Sequence, residues 1–177
     1  MVKPYTTDFG LWYPKGRELT LVAYTDADWE GDIDDRKSTS GRAFYLGECL
    51  VAWLRRKQSS ISLSIAEEEY IAVAIYCTQI LWMKKTLQDI YVQYNEPITI
   101  LCDNTSAISI SKNPVMHSKT KHIPIRYHFV RENVLEKTIK LEHIGTKEHV
   151  VDIFTKPLPR ETFEYLRQKL GVIITPH

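Results

Sequence analysis

The chain has 177 residues, 44% of them hydrophobic and 25% charged, a length and composition that fit one soluble domain with its own core. Its net charge of +1 excludes a global field that would draw it onto nucleic acid, so any such binding needs a local patch. It has three cysteines, no Cys-x-x-Cys spacing, no secretory apolar segment and no apolar run of about 18 residues. Buried, reduced thiols in an intracellular or otherwise reducing setting are expected, and no membrane span is.

Residues 1–18 mix Gly, Pro and aromatics without periodicity and read as an irregular lead-in docked on a domain covering 19–177. Met1 lies a short way before the first strand, as in an excised polyprotein segment and equally in a small natural protein. Residues 19–24 read as a strand that runs into Asp26, and residues 31–40 as a polar loop. Residues 42–46 and 50–54 read as two further strands around a hairpin at Gly47-Glu48-Cys49, giving an antiparallel meander.

Residues 62 to about 91 form a long helical pattern with Ser64 as N-cap and Glu67 at the capping-box position. Tyr70, Val73, Ala74, Cys77, Leu81 and Leu87 or Gln88 recur on its buried face. Trp53, Trp82 and Tyr76 read as core. Residues 98–102 are the fourth strand, and 105–111 a short helix stopped by Asn113-Pro114. Pro124 opens another helix through Val134, 139–144 is the fifth strand, and the chain is helical again from Lys147. Residues 160–170 form the last helix, with Gly171 as its C-cap. The order predicts an α/β layer with a five-stranded mixed sheet, flanked by helices.

The chemistry concentrates on acids. Asp26 and Asp103 end two apolar strands, Glu67, Glu68 and Glu69 open the long helix, and Asp152 opens a late one. A carboxylate at a buried strand end is costly unless a cation meets it. Two-metal phosphodiester hydrolysis needs several carboxylates around hard cations such as Mg2+. Each acid also has an ordinary role: strand-end Asp as turn former, first-turn Glu as partner of the helix dipole. No Gly-x-x-x-x-Gly-Lys-Ser/Thr loop is present, and the six histidines lack zinc spacing.

Together, Tyr24-Thr25-Asp26-Ala27-Asp28-Trp29 with Asp34-Asp35-Arg36-Lys37-Ser38-Thr39-Ser40-Gly41, Glu67-Glu68-Glu69-Tyr70, Cys102-Asp103-Asn104, His117-Ser118-Lys119-Thr120-Lys121-His122-Ile123 and Asp152-Ile153-Phe154-Thr155-Lys156-Pro157-Leu158 closely resemble the ribonuclease H domain of copia-type LTR retrotransposon polyproteins. The resemblance implies a ribonuclease H-like fold, its last two strands parallel. It also implies a metal-dependent endonuclease that cuts the RNA strand of RNA–DNA hybrids during reverse transcription. Two Mg2+ ions, with Mn2+ as substitute, would be held by Asp26, Glu69, Asp103 and Asp152.

The family's usual Glu-Ala-Glu-Tyr is Glu67-Glu68-Glu69-Tyr70 here, so Glu67 and Glu68 stay open as alternatives to Glu69. The glycine- and histidine-containing loop of many cellular ribonucleases H is reduced to residues 145–149, with His149 as an auxiliary group. Asp28 shapes the loop or supports the site from outside. Ser38, Thr39, Ser40, Asn104 and Ser106 flank the strand acids and are candidates for 2′-hydroxyl contacts. Lys119, Lys121 and Arg126, in a basic stretch with His122, His128 and Arg131, are candidates for phosphate contacts, as are Arg55-Arg56-Lys57. Tyr127 and Phe129 read as core. The implied partners are the hybrid and the reverse transcriptase domain of the same polyprotein, in a cytoplasmic particle or nucleus. Two competitors remain: a silent module that binds hybrid or polymerase, and an integrase- or transposase-type relative, which would place a glutamate last.

Overall fold

A computed structural model describes residues 8–16, 18–28, 39–57, 64–113 and 128–174, with the side chain of Asp28 outside the description. Strands β1 (Phe9–Leu11), β2 (Leu21–Asp28), β3 (Thr39–Leu46) and β4 (Cys49–Lys57) precede helix α1 (Ile65–Asp89). Strand β5 (Ile98–Cys102), helices α2 (Thr105–Lys112) and α3 (Phe129–Leu135), and strand β6 (Ile139–His143) follow. A 3-10 turn (Thr146–Glu148), helices α4 (Asp152–Thr155) and α5 (Arg160–Lys169), and strand β7 (Val172–Ile174) complete the order.

The main sheet runs β4-β3-β2-β5-β6. The hairpin-linked strands β2, β3 and β4 pair antiparallel, whereas β5 joins β2, and β6 joins β5, in parallel. This is the expected mixed sheet. Gly47, at φ 63°, makes the tight β3–β4 turn in a left-handed conformation open to glycine.

Helix α1 starts where the polar signal predicts. Ser64 is extended, and its hydroxyl accepts the Glu67 amide. Its apolar stripe, including Tyr70, Val73, Ala74, Cys77 and Ile80, packs on Ala23, Phe44, Ile100 and Leu141. On the opposite sheet face, Ala43, Tyr45, Leu50, Val150, Val151 and Leu170 form a second cluster, with Leu11, Val22 and Tyr24 packed against it. The sheet is thus covered on both faces, as parallel pairing requires.

Several expectations change. Part of the lead-in is regular: Phe9–Leu11 pairs antiparallel with Val172–Ile174, and the Tyr13 hydroxyl donates to Leu50 O. Strand β2 continues through Asp28, so that residue lies within the strand and not beyond it. Strand β4 likewise continues through Arg55-Arg56-Lys57. Trp53 and Trp82 are 52% and 62% exposed, unlike the buried Tyr76. Trp53 stands on the edge strand, and Trp82 on the outer side of α1. The helix expected from Pro124 begins, among the described residues, at Phe129; Pro124 itself lies outside them. Among the described residues no helix is long and apolar enough to cross a membrane.

Candidate active site

The parallel register aligns Thr25 of β2 with Cys102 of β5. The next residue in each chain segment is an acid, so Asp26 and Asp103 stand side by side where the parallel pairing of β2 with β5 ends. On the antiparallel side Asp26 is paired with Gly41 of β3. A Cβ on Gly41 would lie 2.9 Å from Thr155 Cγ2, 3.2 Å from Val151 O and 3.3 Å from Phe154 Cβ. The bare glycine therefore lets α4 lie directly on the sheet beside Asp26. That approach delivers Asp152, Thr155 and Lys156 to the strand ends.

Ligand atoms of Asp26, Asp103, His149 and Asp152 fall within 4.8 Å of one another. Those of Glu69, Cys102 and Asp103 do the same, so Asp103 is common to both groups. Asp26, Glu69 and Asp152 are buried, and Asp103 is partly open to solvent. Glu69 reaches from the first turns of α1 to the end of β2, where its Oε1 accepts the Ala27 amide at 2.7 Å. The Cys102 thiol donates to its other oxygen at 3.8 Å.

Of the three helix-start glutamates, Glu69 is the one in these acid groups among the described residues; Glu67 and Glu68 are buried outside them. Burial holds the Glu69 carboxyl well above its ordinary range. Asp26 and Asp103 add to that rise, against the Ala27 amide and Lys156. Burial also raises Asp26, opposed first by Lys156 and then by the Thr155 hydroxyl.

Two participants have no role in the sequence reading beyond their place in a motif. The Thr155 hydroxyl donates to Asp26 Oδ2. Lys156 Nζ donates to Asp26 Oδ1 at 3.2 Å and to Asp152 Oδ1 at 3.1 Å, and lies 4.0 Å from Asp103 Oδ2. Burial opposes the Lys156 charge, but the three carboxylates overcome it and raise its pKa. Lys156 follows Asp152 by four residues, a spacing at which its ammonium reaches that carboxylate.

His149 is fully buried, with Nδ1 3.1 Å from Asp152 Oδ1 and 3.9 Å from Asp103 Oδ2. It therefore stands inside the cluster.

The polar candidates divide. Ser40 is 2% exposed and hydrogen-bonded to the Tyr76 side chain, and Thr39 is also buried. Asn104 uses Oδ1 to cap α2, accepting the Ser106 and Ala107 amides at 3.0 Å, while Ser106 is exposed. Arg131 is buried: its Nε donates to Ile110 O, and its guanidinium stacks on Tyr70. The Tyr70 hydroxyl pairs with His128 Nδ1 at 3.0 Å. Phe129 packs against the core as expected. Ser38, Lys119, Lys121, His122, Arg126 and Tyr127 lie outside the described residues. Arg55, Arg56 and Lys57 are exposed, and Arg55 is in register with Gly41 and hence with Asp26. Two strand spacings put its backbone about 10 Å from that of Asp26, on the same sheet face.

The fold is ribonuclease H-like. It superposes on the N-terminal RNase H domain from Mycobacterium tuberculosis fused to maltose binding protein with a TM-score of 0.50. Identity there is 8%, over 85% of this chain and 98% of that one. A protease–reverse transcriptase of prototype foamy virus gives a TM-score of 0.53 at 15% identity, over 91% of this chain and 21% of that one. No family model matches the chain.

Sequence relatives narrow the class. The chain is 40% identical over 171 residues to the retrovirus-related Pol polyprotein from transposon RE2 of Arabidopsis thaliana, and 39% identical to that from transposon RE1. It is 39% identical over 157 residues to the counterpart from transposon TNT 1-94 of Nicotiana tabacum. These alignments cover 97%, 97% and 89% of the chain, so its homologues are retrovirus-related Pol polyproteins of transposons. It spans 12% of the length of each of these relatives.

Proposed function

We propose that this chain is the ribonuclease H unit of a copia-type retrotransposon polyprotein, a metal-dependent endonuclease that cuts the RNA strand of RNA–DNA hybrids. The observation that carries the reading is the convergence of Asp26, Glu69, Asp103 and Asp152 from a strand, a helix start, a second strand end and a late helix. Carboxylate oxygens from four elements suit a hard divalent cation, preferably Mg2+. Asp26, Asp103 and Asp152 would hold one ion, and Glu69 with the shared Asp103 a second. When bound, such ions supply an activated water and neutralise charge on the leaving oxygen.

The chain's own groups prepare that chemistry. Thr155 fixes one oxygen of Asp26, and the Ala27 amide fixes one oxygen of Glu69, so both carboxylates are oriented before any ligand arrives. His149 steadies Asp152 from the buried side. The open side of Asp103 is the approach for a phosphodiester. Arg55 and Lys57, on the Asp26 face of the sheet two strands away, would supply cations for phosphates that position the substrate without reading sequence. Ser106 at the start of α2, and Lys119, Lys121 and Arg126, would extend that contact. In the polyprotein this unit would work beside the reverse transcriptase domain, on template RNA already copied.

Asp26→Asn is the direct test. It removes a ligand charge while keeping size, and should abolish cleavage of a labelled hybrid with an unchanged circular dichroism spectrum. Full cleavage by a folded Asp26→Asn protein refutes the site. Hybrid binding by the wild type, with no Mg2+- or Mn2+-dependent cutting, would establish a silent binding module instead.

A further inference from the structure

Lys156 fills the space in which a cation would be held. Its ammonium donates to Asp26 Oδ1 and Asp152 Oδ1 and lies 4.0 Å from Asp103 Oδ2. These are the three carboxylates whose ligand atoms gather within 4.8 Å. The other Asp26 oxygen, Oδ2, already accepts from the Thr155 hydroxyl, so Lys156 holds the oxygen that accepts no other side chain among the described residues. The Asp152 oxygen that Lys156 uses is also the one His149 approaches. An ion ligated by Asp26 and Asp152 would therefore meet a positive charge at the same oxygens, at a separation where like charges repel strongly.

The lysine is also placed to leave. Its side chain is 30% exposed, so its stem reaches inward from the rim. Residue 156 is the C-cap of α4, extended at φ −113° and ψ 144°, where the chain is already leaving the helix.

We propose that Lys156 is an internal counter-cation: its ammonium and a divalent ion are mutually exclusive occupants of the Asp26–Asp103–Asp152 cluster, and entry of the ion expels the ammonium to the rim. The lysine thereby holds the metal-free carboxylates together and sets the ion concentration at which the site fills. This rests on the reading that the cluster takes divalent cations, and not on which nucleic acid is cut.

The test is Mn2+ binding to the metal-free protein, read by electron paramagnetic resonance, for wild type, Lys156→Gln and Lys156→Arg. Lys156→Gln should bind roughly fivefold more tightly or better, the lower end of usual couplings between sites. Lys156→Arg, which keeps the charge, should not gain affinity. Equal or weaker binding by a folded Lys156→Gln overturns the proposal while leaving the metal site standing. No Mn2+ binding by wild type overturns both.

A second readout needs no variant. In the wild-type protein, acetylation of Lys156, followed by mass spectrometry, should rise when Mg2+ saturates the site. The exposed Lys85 serves as the internal reference. An unchanged Lys156 signal would mean that the ammonium stays paired, and would refute expulsion.

Discussion

Replacing Gly41 by alanine puts a methyl group into the contact that seats α4 on the sheet. The new carbon would lie 2.9 Å from Thr155 Cγ2, 3.2 Å from Val151 O and 3.3 Å from Phe154 Cβ. The last two belong to the backbone and the Cβ of the α4 segment, so rotating a side chain cannot relieve them. The helix has to retreat by a few tenths of an ångström, carrying Asp152 and Lys156 with it. Turning Thr155 aside would instead break its hydrogen bond to Asp26.

Overpacking of this kind costs about 1–3 kcal/mol, and stiffening of the unfolded chain offsets about 0.4–1 kcal/mol. A net loss near 1–2 kcal/mol lowers Tm by about 2–8 °C in a chain of this length. Misplacement of reacting groups by an ångström costs about a hundredfold, so a smaller shift should slow hybrid cleavage by about tenfold. Thermal melting and single-turnover cleavage of a labelled hybrid measure the two effects. Thr155→Ser in the Gly41→Ala background removes the nearest contact and keeps the hydroxyl, so it should recover part of both. A Gly41→Ala protein that melts at or above wild type and cuts at the wild-type rate would refute the close-approach argument.

Two further predictions use the titrating groups. Glu69 and Asp26 hold protons more tightly folded than unfolded, mainly through burial. As pH rises through the ordinary carboxylate range, near 4, the unfolded chain releases those protons first. The metal-free protein therefore loses stability with rising pH, until the raised native values are passed. Glu69→Gln should flatten that decline in Tm above about pH 5, and identical slopes for the two proteins would contradict it. Among the thiols, burial pushes Cys77 up to about 12 and also raises Cys102, where Glu69 adds to the effect, while Cys49 is half-buried. A thiol-alkylating reagent should label one cysteine of the native protein, the half-buried Cys49, and three after denaturation; native labelling of Cys77 or Cys102 would contradict their burial.

Much of the scaffold was legible because it obeys local rules. Strand β5 matches residues 98–102, since β-branched and apolar residues there end abruptly at Asp103-Asn104. The start of α1 follows from one capping serine. The four acids were grouped in the sequence through their resemblance to a known pattern, and the register of β2 against β5 accounts for two of them, Asp26 beside Asp103. Tertiary contacts account for what was missed. Helix α4 is four residues long, too short for periodicity to reveal that Lys156 faces Asp26 across the chain. Ser40 and Arg131 looked like surface polar groups, but each is consumed by a tyrosine of α1. Trp53 and Trp82 looked like core by composition, yet an edge strand and the outer side of a helix leave them exposed.

The most direct measurement is a gel of three end-labelled substrates, an RNA–DNA hybrid, an RNA duplex and a DNA duplex, each with and without Mg2+. The account predicts cleavage of the RNA strand of the hybrid alone, and only with the ion. Cutting of the DNA duplex, or of the hybrid in the presence of a chelator, would contradict it.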